Sequence, residues 1–201
     1  MKLYYAPGAC SLSPHIVAEE AGLALELVKV DLKAHTLDDG SDYHRINPKG
    51  SVPALALDDG TLLTEGPAIV QLLADKNPAS GLAPECGSFA RYKLQEWLTF
   101  INGEIHKTFG PLFHGAAGDI RKHAIDTIQN RFGFADKALS DKPFLLGTSF
   151  TAADAYLFVM LTWARKMHIE ISPTLSAYFD RIAARPKVHA AMRVEGLLKE
   201  G

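Results

Sequence analysis

The first third of the chain switches between two apolar periods. Residues 2–5 form a short apolar strand, and a loop broken by Pro7 and Gly8 follows. Leu12, Ile16, Val17 and Ala21 then recur at helical spacing, and Gly22 closes that helix from the C′ position. Leu25 to Leu32 reads as a second strand, with Leu27, Val28 and Val30 apolar on both faces, as expected of a central strand. The stretch from Lys33 to Asn47 is polar and irregular, with a short helix near Tyr43. Ala54–Leu57 and Thr61–Thr64 are two brief strands joined by Asp58-Asp59-Gly60, a hairpin signal. Thr64-Glu65-Gly66-Pro67 opens a helix that packs through Ile69, Val70, Leu72 and Leu73. The order β-α-β, short α, β-β-α predicts two parallel strands with a right-handed crossover, and the hairpin extends the same sheet.

Asn77, Pro78, Gly81 and Pro84 break the pattern, and beyond them only the helical period remains. A long helix runs from Ser88 to about Phe113, with Leu94, Trp97, Leu98, Ile101, Ile105 and Phe109 on one stripe. Thr99, Asn102, Gly103 and His106 lie on another face. Further helices are expected over 119–139, 151–168 and 174–184, and after Pro186. The pattern thus predicts an α/β domain over residues 1–76, a linker over 77–85 and an all-α domain over 86–201.

Composition narrows the function classes. With 201 residues, 47% of them hydrophobic, the chain can bury a substantial core. A formal charge of −2, from 21 basic and 23 acidic residues, offers nucleic acid no broad electrostatic attraction. No apolar run reaches the roughly 18 residues that a membrane helix needs, and the N-terminus lacks the apolar core of a signal peptide. Two cysteines, Cys10 and Cys86, make no disulfide framework and fit a reducing, cytoplasmic setting. The eight histidines show no metal-ligand spacing, so no metal is expected.

The candidate chemistry starts at Cys10, directly before the first helix. Ser11 is the expected N-cap, and Pro14 falls in the first turn. A thiolate there faces helix amides, which should lower its pKa and make it a usable nucleophile. The alternative is a small buried hydrophobe. Val52-Pro53 precedes the third strand, and a cis bond there would leave the Val52 backbone open to pair with an extended peptide. Glu65 and Gly66 open a helix whose amides suit a carboxylate, and the Glu65 side chain suits an amine. A thiol loop, an open edge and such a helix start fit a small thiol peptide with its own carboxylates: glutathione.

These residues resemble the glutathione transferase superfamily, and specifically its bacterial beta class. The likeness rests on Tyr4-Tyr5-x-Pro7-Gly8-Ala9-Cys10-Ser11-Leu12, on Asn47-Pro48-Lys49-Gly50 with Val52-Pro53, and on Leu63-Thr64-Glu65-Gly66. It continues through Glu104-Ile105-His106-Lys107 and the run from Phe150 to Phe158, whose Thr151 and Asp154 look like a capping box. The resemblance implies a thioredoxin-like N-terminal domain followed by an all-helical domain, which is the glutathione transferase fold. It makes Cys10 and His106 the catalytic candidates. It assigns glutathione to Cys10, His35, Val52, Glu65, Gly66, Thr99, Gly103, Glu104, Ile105 and His106, and an apolar substrate pocket to Phe113 and Trp163. Three positions depart from the family pattern: His35 stands where lysine is common, Thr99 where asparagine is common, and Gly66 where the wider superfamily often has serine. The implied activity is attack of the glutathione thiolate on a small hydrophobic electrophile. Two alternatives stand beside it. One is glutathione-dependent thiol exchange or reductive dehalogenation with Cys10 itself attacking, for which Cys10-x-x-Ser13 is a cue. The other is a non-catalytic carrier of hydrophobic ligands. A homodimer is implied as well, with Glu104 reaching the partner's glutathione.

Overall fold

In the computed structural model, which describes residues 1–198, strand β1 (Lys2–Tyr5) is the middle of a five-stranded sheet. It is flanked on one side by β2 (Glu26–Asp31) and β3 (Thr36–Leu37), and on the other by β4 (Ala54–Ala56) and β5 (Leu62–Thr64). β1 pairs parallel with β2, in register Leu3↔Leu27, and antiparallel with β4, in register Leu3↔Leu55. Successive strand residues face opposite ways, so Leu3 and Leu55 share one face while Tyr4 and Ala54 share the other.

Both faces are buried. The first packs under α1 (Leu12–Glu20) and α2 (Gly66–Lys76), whose Leu12, Ile16, Ile69, Val70 and Leu73 are fully enclosed. On the second face Tyr4, Val30, Tyr43, Val52 and Ala54 cluster, with Ala9, Leu37 and Ile46 packed against them. Each such aliphatic side chain contributes roughly 1.5–3 kcal/mol by leaving water.

Two expectations change here. β2 has a strand on each side, but it is not buried on both faces: β3 beside it is short, and only Val30 of its six residues is buried. The polar stretch after it also supplies β3 itself, paired through Val30↔Leu37 and Asp31↔Thr36. The helix near Tyr43 is a 3-10 turn, Tyr43–Arg45, whose His44 amide donates to the Asp42 side chain. The Asp58-Asp59-Gly60 hairpin is present, closed by the Leu57 amide donating to the Thr61 carbonyl over 2.8 Å. α1 ends as the pattern predicted. Gly22 takes φ 68°, its amide reaches the Glu19 carbonyl at 3.1 Å, and the Leu23 amide reaches that of Ala18 at 2.9 Å.

The helix α8 (Pro186–Val194) packs on α1, although the sequence pattern groups it with the helical half. Residues 1–83 together with 184–198 make one compact unit, and Pro84–Ala183 make the other. Arg185 grips Glu20 with two hydrogen bonds of 2.7 and 2.8 Å, and Lys187 lies 3.5 Å from Glu19.

The second unit is all helix. α3 (Phe89–Phe100) starts at Ser88, whose hydroxyl accepts the Arg91 amide at 3.1 Å. The expected long helix is continuous but not uniform. After Phe100 come a π turn (Ile101–Ile105), a 3-10 turn (His106–Phe109) and α4 (Gly110–Phe113). α5 (Gly118–Ala138), α6 (Ala152–Lys166) and α7 (Pro173–Ala183) complete the unit. α6 is its axis and is buried along nearly its whole length. The expected capping box forms at its start. Asp154 accepts from the Thr151 amide and hydroxyl at 2.8 and 2.7 Å, from the Leu145 amide at 2.8 Å and from the Tyr178 hydroxyl at 2.9 Å.

Candidate functional site

Cys10 sits where the sequence placed it, at the mouth of α1, but its surroundings are drier than expected. Its Sγ donates to the Val52 carbonyl at 3.2 Å, which joins the cysteine loop to the Val52-Pro53 loop. The Val52–Pro53 peptide is cis. Burial pushes the Cys10 thiol up to about 12, and the Glu65 charge adds to the rise. The Cys10 and Ser11 amides do pull the other way, as helix-start geometry requires, yet they are outweighed. The expected lowering is therefore overturned in this structure, and desolvation is the reason. The expectation for Ser11 also changes: its hydroxyl does not cap α1. It accepts the Ala6 amide at 3.1 Å and donates to the Ala6 carbonyl at 3.2 Å, which ties the loop to itself.

The Val52 loop is held from below. The buried Asn47 side chain donates to the Ser51 carbonyl at 2.7 Å, and the Tyr43 hydroxyl donates to the same oxygen at 2.9 Å. Among the described residues the Val52 amide donates to no protein acceptor. Nor does the Gly66 amide at the start of α2, where Pro67 follows it. Glu65, just before, is a non-glycine residue at φ 72° and ψ 114°, a backbone region that L residues rarely occupy. Its exposed carboxylate lies 2.6 Å from the Lys49 ammonium, which also donates to Thr64 Oγ1 at 3.0 Å. Lys49 belongs to the Asn-Pro-Lys-Gly motif, yet sequence alone does not mark it as the charge beside Glu65.

His35, also left-handed at φ 54°, places Nδ1 3.1 Å from the Gly50 carbonyl and its ring 4.5 Å from that of His44. It is thus held on the loop that carries Val52. A side chain at Gly50 would come within 2.5 Å of the His44 ring, so this glycine serves close approach as well as its φ of 66°.

In the helical unit, Gly103, Glu104 and Ile105 fall in the π turn, a distortion that recurs at functional positions. Gly103, Glu104 and Thr99 are exposed. Ile105 is fully buried, so its side chain is core and a ligand can meet only its backbone. Glu104 pairs with Arg131 at 3.0 Å. His106 Nδ1 lies 2.6 Å from the Tyr156 hydroxyl, which donates to Asn102 Oδ1 at 2.8 Å. With the tyrosine proton spent on Asn102, Nδ1 is the donor in its bond and Nε2 carries the lone pair. The His106 ring stands edge-on to Trp163 at 4.9 Å, and Trp163 meets Phe113 at 4.8 Å. Three expected residues, His106, Trp163 and Phe113, are thereby in contact. The sequence puts Asn102 on the face of His106, but Tyr156, which bonds to both, escapes it because its link to Asn102 spans 54 positions.

Burial, and secondarily the Lys107 charge, lowers the His106 pKa to about 4. The sign of the effect on stability follows. Unfolded, the imidazole binds its proton below about pH 6.5. Folded, it does so only below about pH 4. Between those values unfolding takes up a proton, so stability rises with pH across the window, by up to about 3 kcal/mol in all. Thermal unfolding of wild type should therefore worsen more steeply than that of His106→Gln as pH falls from 6.5 to 4. Parallel curves for the two proteins would contradict this assignment.

Comparison with known proteins gives one consistent result. Residues 8–76 match the family model "Glutathione S-transferase, N-terminal domain", and residues 118–193 match "Glutathione S-transferase, C-terminal domain". The chain is 46% identical to glutathione S-transferase GstA of Escherichia coli O157:H7, over 98% of this chain and all of that one. A sphingomonad glutathione S-transferase solved with glutathione superposes with a TM-score of 0.94 at 47% identity, covering 98% of this chain and 100% of the other. A bacterial beta-class glutathione S-transferase from Sphingomonas chungbukensis gives 0.92 at 46% identity, with the same coverage.

Proposed function

Because the chain belongs to the glutathione S-transferase family, we propose that it conjugates the glutathione thiolate to small hydrophobic electrophiles. The observation that carries this reading is the Val52 backbone beside Cys10, with an amide that no group of the described residues accepts and a carbonyl 3.2 Å from the thiol. That is the edge an extended tripeptide needs. The γ-glutamyl end of glutathione carries an ammonium and a carboxylate, and Glu65 with Lys49 and the Gly66 amide presents the complementary charges. His35 takes the glycyl end. In the helical unit His106 and the exposed backbone at Gly103 and Glu104 contribute to glutathione, with Thr99 on the same helix, and Phe113 and Trp163 hold the electrophile. The Cys10 and Ser11 amides just before α1, which already act on the Cys10 thiol, stabilise the glutathione thiolate. Residues 1–76, with α8 packed on them, then form the glutathione-binding domain and the helices from α3 to α7 the substrate domain, joined by 77–85.

A Cys10 thiol buried to a pKa of about 12 is a weak nucleophile near neutral pH, which favours conjugation over chemistry begun by Cys10. Thiol exchange remains the second reading, since that sulfur lies beside the edge at which glutathione pairs. A glutathione-dependent substrate panel, scored for both conjugate and halide release, tests the proposal. Conjugate without a Cys10 adduct supports it, halide release through a Cys10 adduct moves the assignment to exchange, and binding without turnover supports a carrier. We further propose a cytoplasmic role in detoxification. A homodimer is supported by the exposed aromatic side chains of Phe89, Tyr92 and Phe134, and should sediment at twice 21.9 kDa.

A further inference from the structure

We propose that Glu195 is a positioning residue for this reaction, fixing the Gly8–Cys10 loop so that the Cys10 and Ser11 amides and the Cys10 thiol meet glutathione. The proposal rests on the glutathione reading above. Glu195 lies just beyond α8 and two residues outside the family-model match, which ends at residue 193. It is a carboxylate with no exposed side-chain surface. Both of its oxygens are used: Oε2 accepts the Gly8 amide at 2.9 Å, and Oε1 accepts from His15 Nδ1 at 2.9 Å. His15 is itself buried and lies on α1, so one side chain ties the loop before Cys10 to the helix after it.

The turn that delivers Glu195 is built for close approach. Gly196 takes φ 69°, and the Leu197 amide returns to the Met192 carbonyl at 2.9 Å. This folds Leu197 back over Gly8, where an added Cβ would stand 3.1 Å from Leu197 Cδ2. Docking of α8 has a separate anchor at its other end, the Arg185–Glu20 pair. The carboxylate at 195 is therefore not needed merely to hold the helix in place. Its loss removes this acceptor from the Gly8 amide and from the buried His15 ring at the loop that carries the thiol.

The test uses the full chain carrying Cys86→Ser, so that Cys10 is its one remaining thiol. Labelling of Cys10 by N-ethylmaleimide and the glutathione dependence of conjugation are both measured. Glu195→Ala should speed labelling at least tenfold and lower kcat/KM for glutathione at least tenfold. Glu195→Gln should stay within about twofold of wild type on both, because its carbonyl oxygen still accepts the Gly8 amide and its NH2 stays beside the His15 ring. Arg185→Ala should lower the melting temperature and leave both readings unchanged. Should Glu195→Ala not fold, Glu195→Asp replaces it, being too short to reach both partners. Wild-type labelling in Glu195→Ala, or an equal response from Arg185→Ala, overturns the proposal. Labelling needs no glutathione. Wild-type protein that does not saturate with glutathione thus refutes the functional reading, while the loop result is scored separately.

Discussion

Cys10→Ala should abolish the mixed disulfide with oxidised glutathione and leave conjugation measurable, within roughly tenfold of wild type, about the weight of one hydrogen bond to a charged sulfur. The two effects separate because they use different parts of the same loop. A mixed disulfide needs the Cys10 thiolate to attack one glutathione sulfur and expel the other as thiolate, so no Cys10 sulfur means no product. Conjugation needs only the glutathione thiolate, and the Cys10 and Ser11 amides that stabilise an anion at this point are main-chain groups that the substitution leaves in place. The wild-type thiol should also be sluggish before glutathione arrives. A pKa of about 12 leaves far less thiolate near pH 7.5 than an ordinary pKa of about 8.5 does, and higher basicity restores only part of the rate, so alkylation should run about a hundredfold slower than at an ordinary exposed thiol. Complete loss of conjugation in Cys10→Ala, with glutathione binding intact, would make the cysteine essential to that reaction and refute this division.

Asp154→Ala should cost the helical unit about 3–5 kcal/mol, since each buried donor left without an acceptor costs about 1–3 kcal/mol and part of that is recovered by relaxation. Against a typical domain stability of about 5–15 kcal/mol, this is enough to leave the variant partly unfolded at moderate temperature. The reason is convergence. Four donors, the Thr151 amide and hydroxyl, the Leu145 amide and the Tyr178 hydroxyl, end on one carboxylate, and alanine leaves all of them buried without an acceptor. Asp154→Asn retains an acceptor oxygen and should lie between. Urea unfolding of the three proteins checks the order, and an alanine variant within about 1 kcal/mol of wild type would contradict it.

What could be read from the chain beforehand divides along physical lines. Local signals worked where a residue type is required by its own backbone. Gly22 at the end of α1, Asp59-Gly60 in the hairpin and Thr151 with Asp154 at the start of α6 each act within a few positions. Patterning failed where it depends on what lies alongside. Leu27, Val28 and Val30 look like a two-sided buried strand, but β2 has only the two-residue β3 beyond it, so most of its surface stays accessible. The grouping of the Cys10 loop, Val52-Pro53 and Glu65-Gly66 was legible, because helix starts and open strand edges announce their unused amides. Its electrostatics were not. The sign of the amide effect on Cys10 is local and correct, whereas the burial that outweighs it is assembled from distant parts of the fold. The same holds for partners fixed by long-range contacts. Lys49 beside Glu65, Tyr156 beside Asn102 and His106, and Glu195 on the Gly8 amide are separated from their partners by 16, 54 and 187 positions in the clearest cases.

The central claim, that the backbone edge at Val52 and the start of α2 receive glutathione, is tested most directly by amide NMR. Titrating 15N-labelled protein with S-methylglutathione, which cannot react with Cys10, should shift the Val52 and Gly66 amide resonances together, saturably and among the largest changes in residues 1–83. Saturable binding that leaves both amides unmoved, or no binding at all, would contradict the account.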